Sequence, residues 1–265
     1  MINIAINGVC GRMGLRIAEL VAEDENLKLV SALEMEGHPQ IGKNLSSLIS
    51  QGHNDVIISH DLNGSPDVLI DFTSPDSTMA RLKICTDNGI AMVIGTTGMN
   101  SEQIEQINKA SQKIPCLFSP NMSIGVNLLF SLVETVSKIL GEESDIEIIE
   151  SHHRHKKDAP SGTALKIAAK ICSATNREID EVVIYGRKGF TGERPRKQIC
   201  VHSIRSGEIV GEHAVTFCSG GERIELVHKA QTRDAFATGA IRAAKFLSGK
   251  PPSLDKMENA LKDIC

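Results

Sequence analysis

The chain contains no tryptophan and a single tyrosine, Tyr185, and aromatic residues make up only 3% of its 265 positions. Stacking platforms for nucleic-acid bases are therefore scarce. A positive balance is missing too: 29 Lys and Arg stand against 33 Asp and Glu, a formal net charge of -4, which argues against general nucleic-acid binding. No apolar run reaches the roughly 18 residues of a membrane span. The seven cysteines (Cys10, Cys85, Cys116, Cys172, Cys200, Cys218, Cys265) are scattered, odd in number and form no C-x-x-C pair. That pattern fits reduced thiols better than a disulfide framework or a structural zinc site. The opening Met1-Ile-Asn-Ile-Ala-Ile-Asn has no basic leader and turns directly into glycines. A cytoplasmic protein is expected, with no membrane or nucleic-acid partner.

What is present is ordinary in bulk and specific in places. With 41% apolar residues the chain can bury a substantial core, and its length favours two domains. Residues 2–7 read as a short buried strand stopped by Gly8. Gly8-Val-Cys-Gly11-Arg-Met-Gly14 follows, and Met13, Leu15, Ile17, Ala18, Leu20 and Val21 fall on a helical period. Residues 28–34 make a second strand that ends on Glu34. Strand, glycine turn, helix, strand, acid is the order of a dinucleotide-binding unit. The glycines allow backbone N–H groups to approach a pyrophosphate at a helix N-terminus. Glu34, about 20 residues further on, is placed to accept ribose hydroxyls. The spacing is G-x-x-G-x-x-G rather than G-x-G-x-x-G, so a glycine-rich turn without a ligand is the competing reading.

Residues 55–59, 67–72, 91–95 and 115–118 are apolar runs suited to a parallel sheet covered on both faces. Helices are expected over 77–88 and from an Asn100/Gln103 cap to about Lys113. Asp71-Phe72-Thr73, Gly95-Thr96-Thr97 and Ser119–Met122 each follow the carboxyl end of an expected strand, the edge where open α/β sheets bind ligands. Singly each is an ordinary loop; together they suggest an edge lined for a cofactor. Residues 124–140 form a helix whose stripe (Val126, Leu129, Leu132, Val133, Val136, Ile139, Leu140) reads as core packing.

The second half changes texture. A strand at 146–151, a helix at 164–173 and a strand at 181–185 precede a basic, glycine-rich loop over 186–197. Strands at 199–206, 208–218 and 223–231 then carry Ser-Gly and Gly-Gly turns, the signature of a meander. A helix at 233–247 and a last short helix after Pro251-Pro252 return to the first domain. The expected fold is α/β: a Rossmann-like dinucleotide-binding domain (1–123 plus 233–265) with an inserted α+β mixed-sheet domain (124–232).

Between these halves lies Glu150-Ser-His-His-Arg-His-Lys-Lys-Asp-Ala-Pro-Ser-Gly-Thr-Ala164. Three readings compete for it. His153 and His155 on one side of a strand would suit a metal, but no further ligands stand at suitable spacing and Arg154, Lys156 and Lys157 repel a cation. A solvated basic loop or oligomer contact is the second. The third is an active site for a small dianion. There a histidine supplies a proton near neutral pH, a lysine neutralises a carboxylate, and Ser161-Gly162-Thr163 opens a helix onto another.

This stretch resembles the signature E-x-H-H-x-x-K-x-D-x-P-S-G-T-A of the 4-hydroxy-tetrahydrodipicolinate reductase family, also called dihydrodipicolinate reductase. Gly8–Gly14, Gly95-Thr-Thr-Gly98, Gly192-Glu-Arg, Arg205-Ser-Gly-Glu-Ile-Val-Gly-Glu-His213 and Gly221–Ala230 are similar to further family segments, so the likeness spans nearly the whole chain. The resemblance implies reduction of a cyclic dicarboxylate by a nicotinamide cofactor, with loss of water, in the diaminopimelate route to lysine. It implies His152 as general acid and Lys156 as second catalytic group. Substrate carboxylates would meet His153, Ser161, Gly162 and Thr163. The cofactor would be lined by Gly8, Val9, Cys10, Gly11, Arg12 and Met13, by Glu34, by Gly95, Thr96 and Thr97, and by Ser119, Pro120, Asn121 and Met122. A homotetramer assembled through the inserted sheet is implied as well, and no metal. Hydride and proton donors would sit on separate domains, so closure is expected to bring them together.

Two positions depart from the family pattern. Many members place a basic residue after the acid of the second strand, where it meets a 2′-phosphate; here it is Met35. NADH is therefore the expected preference, with NADPH possible through Arg12 or Lys43. Phe190 stands where a polar residue is usual in the long loop, with no functional reading. Two rivals remain: a two-domain reductase of another imine or keto dicarboxylate, and a non-catalytic nucleotide sensor with no use for His152 and Lys156.

Overall fold

A computed structural model describes residues 1–49 and 55–262 of the chain. Two units emerge, residues 1–124 with 234–265 and residues 125–233.

The first unit is organised by its apolar runs. Its strands are β1 (Ile2–Asn7), β2 (Leu27–Leu33), β3 (Ile58–Ser59), β4 (Val68–Asp71), β5 (Ala91–Ile94) and β6 (Pro115–Phe118). The helices α1 (Arg12–Ala22), α2 (Pro75–Asn88) and α3 (Ser101–Ala110) connect them. Successive side chains of a strand point to opposite faces. Ile4, Ile6, Val68, Ile70 and Val93 therefore pack with Ile17, Ala18 and Val21 of α1. Ala5, Leu69, Met92 and Ile94 pack on the other face with Leu82, Cys85 and Ile107 of α2 and α3. Burial on both faces is why these segments read as continuous rather than alternating. The anticipated cap of α3 is present in full: Asn100 accepts from the Gln103 N–H, and the Gln103 side chain accepts from the Asn100 N–H.

The second unit begins within α4 (Ile124–Leu140) and continues through β7 (Asp145–His152), α5 (Gly162–Ala174), α6 (Ile179–Val182), β8 (Val183–Tyr185), β9 (Ile199–Arg205), β10 (Gly211–Ser219) and β11 (Glu222–Ala230). The chain returns to the first unit through α7 (Asp234–Leu247), β12 (Ser253–Asp255) and α8 (Met257–Lys262). As expected of the last helix, Met257 and Ala260 enter the first unit's core.

The first unit's sheet runs β12-β6-β5-β4-β1-β2-β3, and every pairing is parallel. Strand order reverses between β1 and β4, so the loops after these two strands flank the switch point where open sheets take ligands. The second sheet is mixed, in the order β11-β10-β7-β9-β8. One of its faces is covered by α4 and α5 through Phe130, Val133, Ile167 and Ile171.

Four local expectations are corrected. β3 is confined to Ile58–Ser59, and Ile57 instead bridges to Asn44. Residues 181–182, read as strand, end the short helix α6, whose first turn carries Asp180 and Glu181, acids that favour a helix N-terminus. The meander holds only for the β10–β11 hairpin, turned by Gly220 and Gly221 at positive φ. Between β9 and β10 lies β7, antiparallel to β10 and parallel to β9, because its buried Ile146 and Ile148 claim the centre of the sheet. On α4, Leu132 and Ile139 are exposed, and the core-facing positions are Val126, Leu129, Phe130 and Val133.

Candidate active site

In the first unit the glycine turn is built by close approach. Gly8 has φ +73°, and a Cβ there would lie 2.5 Å from Cγ2 of Thr73. A Cβ on Gly14 would lie 2.2 Å from the Gly8 carbonyl oxygen, so α1 sits directly on the turn. Gly11 starts α1 with no side-chain cap and no acid in its first turn. That leaves a positively polarised helix end suited to a phosphate. Glu34, just past β2, reaches back to this turn: its Oε2 accepts from the Cys10 N–H at 3.1 Å and its Oε1 from the Met35 N–H at 2.9 Å.

The neighbouring loops are tied to the same edge. The Thr73 N–H donates to Oγ1 of Thr96 at 2.9 Å, linking the ends of β4 and β5. Beneath them, Asn7 Nδ2 donates to buried Asp71, to Thr73 and to Ser77, while Arg81 donates to Asn7 Oδ1. After β6, the Ser119 hydroxyl donates to the Asn121 carbonyl and Asn121 Oδ1 accepts from Ser123 N–H. Sequence-selected residues differ in their access. Gly11, Arg12, Thr97 and Pro120 are exposed, and Gly8, Cys10, Met13 and Asn121 are half-buried. Val9, Gly95, Thr96, Ser119 and Met122 are buried, and Met122 is part of the core.

The second unit shows how a packing pattern becomes a chemical one. The core-facing positions of β7 run Ile146, Ile148, Glu150, His152. In register beside them, β9 offers Ile199, Val201, Ser203, Arg205, and β10 offers His213 opposite Glu150. Three strands thus change from apolar to ionisable at the same end of the same face. Glu150 is completely buried. Its carboxylate receives both Arg205 guanidinium nitrogens, at 2.8 and 3.0 Å, and the Ser161 N–H at 3.2 Å. His152 Nδ1 lies 2.5 Å from its Oε2. Burial alone would raise the Glu150 carboxyl, but hydrogen bonds from Arg205, Ser203 and His152 outweigh it and hold the group at about 2.

His152 is pulled below the ordinary imidazole value chiefly by desolvation, which its contact with Glu150 only partly offsets. His213 packs edge-on against it, ring centroids 5.3 Å apart, and burial pushes His213 down to about 3. Lys156, past the strand, pairs with Asp158 at 2.8 Å. β7 ends at His152, so His153 and His155 lie beyond it, their ring centroids 6.2 Å apart. Among the described residues, two groups bring three possible metal-ligand atoms within 4.8 Å, Cys10–Glu34–His38 and Glu147–Cys200–His202, and neither includes a histidine of the central stretch.

Ser161 is buried and caps α5: its hydroxyl accepts from the Ala164 N–H at 3.2 Å and lies 3.1 Å from His213 Nε2. Gly162, by contrast, is exposed and Thr163 half-buried at the helix start. The central segment therefore gathers His152, Lys156 and the α5 N-terminus within one unit. Sequence reasoning attached no role to Glu150, Arg205 or His213, although all three lie in segments that carried the family likeness.

Comparison with known proteins follows the same segments. Family models described as dihydrodipicolinate reductase, N-terminus and C-terminus, match residues 2–122 and 125–261. The chain belongs to the dihydrodipicolinate reductase family. The 4-hydroxy-tetrahydrodipicolinate reductase of Syntrophus aciditrophicus is 44% identical across 98% of each chain. That of Nitrosomonas europaea is 47% identical, again across 98% of each. A solved member of the family, the dipicolinate-bound dihydrodipicolinate reductase from Paenisporosarcina sp. TG-14, superposes with a TM-score of 0.78 at 28% identity, covering 98% of this chain and 99% of that one. The Rossmann-like first unit and mixed-sheet second unit are thus the family's fold. Among the described residues no helix is long and apolar enough to cross a membrane.

Proposed function

We propose that this chain reduces 4-hydroxy-tetrahydrodipicolinate to tetrahydrodipicolinate with His152 as proton donor and Lys156 as the cation that orients the substrate. The reaction is that of the family: NAD(P)H supplies a hydride, the medium supplies one proton, and water leaves. It belongs to the diaminopimelate route to lysine. The observation that carries the residue assignment is the end of β7. A half-buried imidazole is fixed there on a buried carboxylate, in the stretch that also bears Lys156 and the start of α5.

Each group has a task that its surroundings suit. An imidazole is the side chain suited to exchanging a proton near neutral pH, and at His152 the Glu150 carboxylate favours the protonated ring against the desolvation that lowers it. Lys156 is a compact cation for a substrate carboxylate. Gly162 and Thr163, at the α5 N-terminus, meet the second carboxylate, and His153 is the further carboxylate-binding group. Ser161 serves through the cap that holds this turn in place. In the first unit the Gly8–Met13 turn receives the pyrophosphate, and Gly95–Thr97 and Ser119–Met122 line the remaining edge. The close fit of Gly8 on Thr73 and the Glu34 contact with the turn support that placement. The second sheet's uncovered face bears exposed Ile149, Ile204 and Val227, which suits its use in assembling a homotetramer.

Dipicolinate, the ligand named for the Paenisporosarcina protein, resembles the substrate as a cyclic dicarboxylate. It is expected to inhibit competitively against the substrate and to lose affinity in Lys156→Ala. Inhibition that is indifferent to substrate concentration would contradict the site.

The cofactor preference follows from Met35. It is 68% exposed beside Glu34, and no cation occupies that position. NADPH loses an attractive partner there and meets like charge, so NADH is preferred. One charge-assisted hydrogen bond is worth roughly 1.5–3 kcal/mol, which corresponds to at least about tenfold in kcat/KM. Arg12 and Lys43, both exposed, are the cations able to rescue NADPH. Measuring kcat/KM with both cofactors decides the matter, and a strong NADPH preference would overturn it.

A further inference from the structure

The reading of His152 as proton donor leaves open what decides which of its two nitrogens works. We propose that Glu150, clamped by Arg205, is the positioning residue of this site. It fixes His152 with Nδ1–H donating to the carboxylate, and makes Nε2 the atom that exchanges the proton with the substrate. The inference rests on that reading, and it can fail separately from it.

An ionised carboxylate only accepts hydrogen bonds. Glu150 is completely buried, yet it receives two guanidinium nitrogens of Arg205, the Ser161 N–H and the His152 ring. Fork-on-fork pairing with Arg205 and a backbone donor keep it ionised. A ring nitrogen 2.5 Å from such an oxygen must therefore carry a proton. In a neutral imidazole that leaves Nε2 as the bare nitrogen, and in the imidazolium it leaves Nε2–H as the donor. Gly211 on β10 clears the space on this side, since a Cβ there would stand 3.1 Å from Nε2.

The charges around His152 show why the carboxylate matters to the protonated ring. Arg205 faces it from β9 and Lys156 from the turn after β7, both cations. His213 on β10 lies edge-on and is held neutral by burial, while His228, opposite His213 on β11, also falls below the ordinary imidazole value through desolvation. Glu150 is thus the anion that opposes two cations at the ring. Without it, protonated His152 becomes unfavourable at the pH where it must act.

The test uses two measurements on the whole protein. In the wild type, ¹⁵N chemical shifts of His152 are expected to report the Nδ1–H tautomer when the ring is neutral. An Nε2–H tautomer would overturn the inference even if His152 were essential to turnover. In Glu150→Gln, kcat is expected to fall about 10²-fold or more, the scale on which a misoriented catalytic histidine costs rate. KM for NADH should stay unchanged, and the descending limb of kcat/KM should move to lower pH because the imidazolium has lost its anion. A folded variant with unchanged pH profile and tautomer would overturn the proposal. If the variant does not fold, the wild-type tautomer decides alone. Full activity in a His152 variant would instead remove the reading on which the inference rests, whatever the tautomer.

Discussion

Replacing His152 with glutamine is expected to lower turnover by about 10²–10⁴-fold, the range for loss of a general acid, while leaving NADH binding intact. Glutamine keeps a polar amide in the space next to Glu150 but carries no titrating proton. The ring's packing against His213 is lost too, a contact made wholly by residues of the second unit, whereas the glycine turn belongs to the first. A fall in kcat with unaltered cofactor affinity therefore separates a chemical role from a structural one. Cofactor titration and steady-state rates with the purified variant check it. Wild-type turnover would take His152 out of the mechanism.

The second large effect concerns the cofactor turn. Gly14→Ala places a methyl 2.2 Å from the Gly8 carbonyl oxygen and 2.7 Å from the Val9 Cα, both backbone atoms. Neither can step aside as a flexible side chain would, so α1 must lift away from the turn. Overpacking of this kind costs about 1–3 kcal/mol of stability. The N–H groups at the helix start move with it, and KM for NADH is expected to rise about tenfold or more, in line with the loss of a charge-assisted contact. Thermal unfolding and a cofactor titration read the two consequences. An unchanged Tm with wild-type NADH binding would contradict the close seating of α1 on Gly8.

How much of this was legible beforehand depended on whether the signal was local. β1, α1 and β2 follow from a period of apolar residues interrupted by glycines, and β6 from Pro115–Phe118 alone. The Asn100/Gln103 cap is a four-residue pattern and was found as written. β12 escaped because Ser253-Leu-Asp255 is short and follows two prolines, and only pairing with β6 makes it a strand. The order of the second sheet escaped for a related reason: turns at residues 206–207 and 220–221 look alike in sequence, yet only the second closes a hairpin.

At the site, the residue types suggest a proton-donating histidine and a lysine somewhere in the central stretch, and the family resemblance is what singles out His152 and Lys156. Glu150 did not stand out, because a glutamate after an Ile-Ile pair reads as a strand's solvent side until its neighbours are known. Its role depends on Arg205 and Ser161, 55 and 11 residues away in the chain. Ser161 shows the converse: a hydroxyl in a Ser-Gly-Thr turn suggests a ligand contact, whereas burial and the Ala164 N–H commit it to the cap.

The most direct test of the account is the consumption of reduced nicotinamide by the purified protein supplied with freshly generated 4-hydroxy-tetrahydrodipicolinate. The expected result is one NADH oxidised per tetrahydrodipicolinate formed, with the rate abolished when the dicarboxylate is omitted. Cofactor binding without oxidation in the presence of this substrate would contradict it.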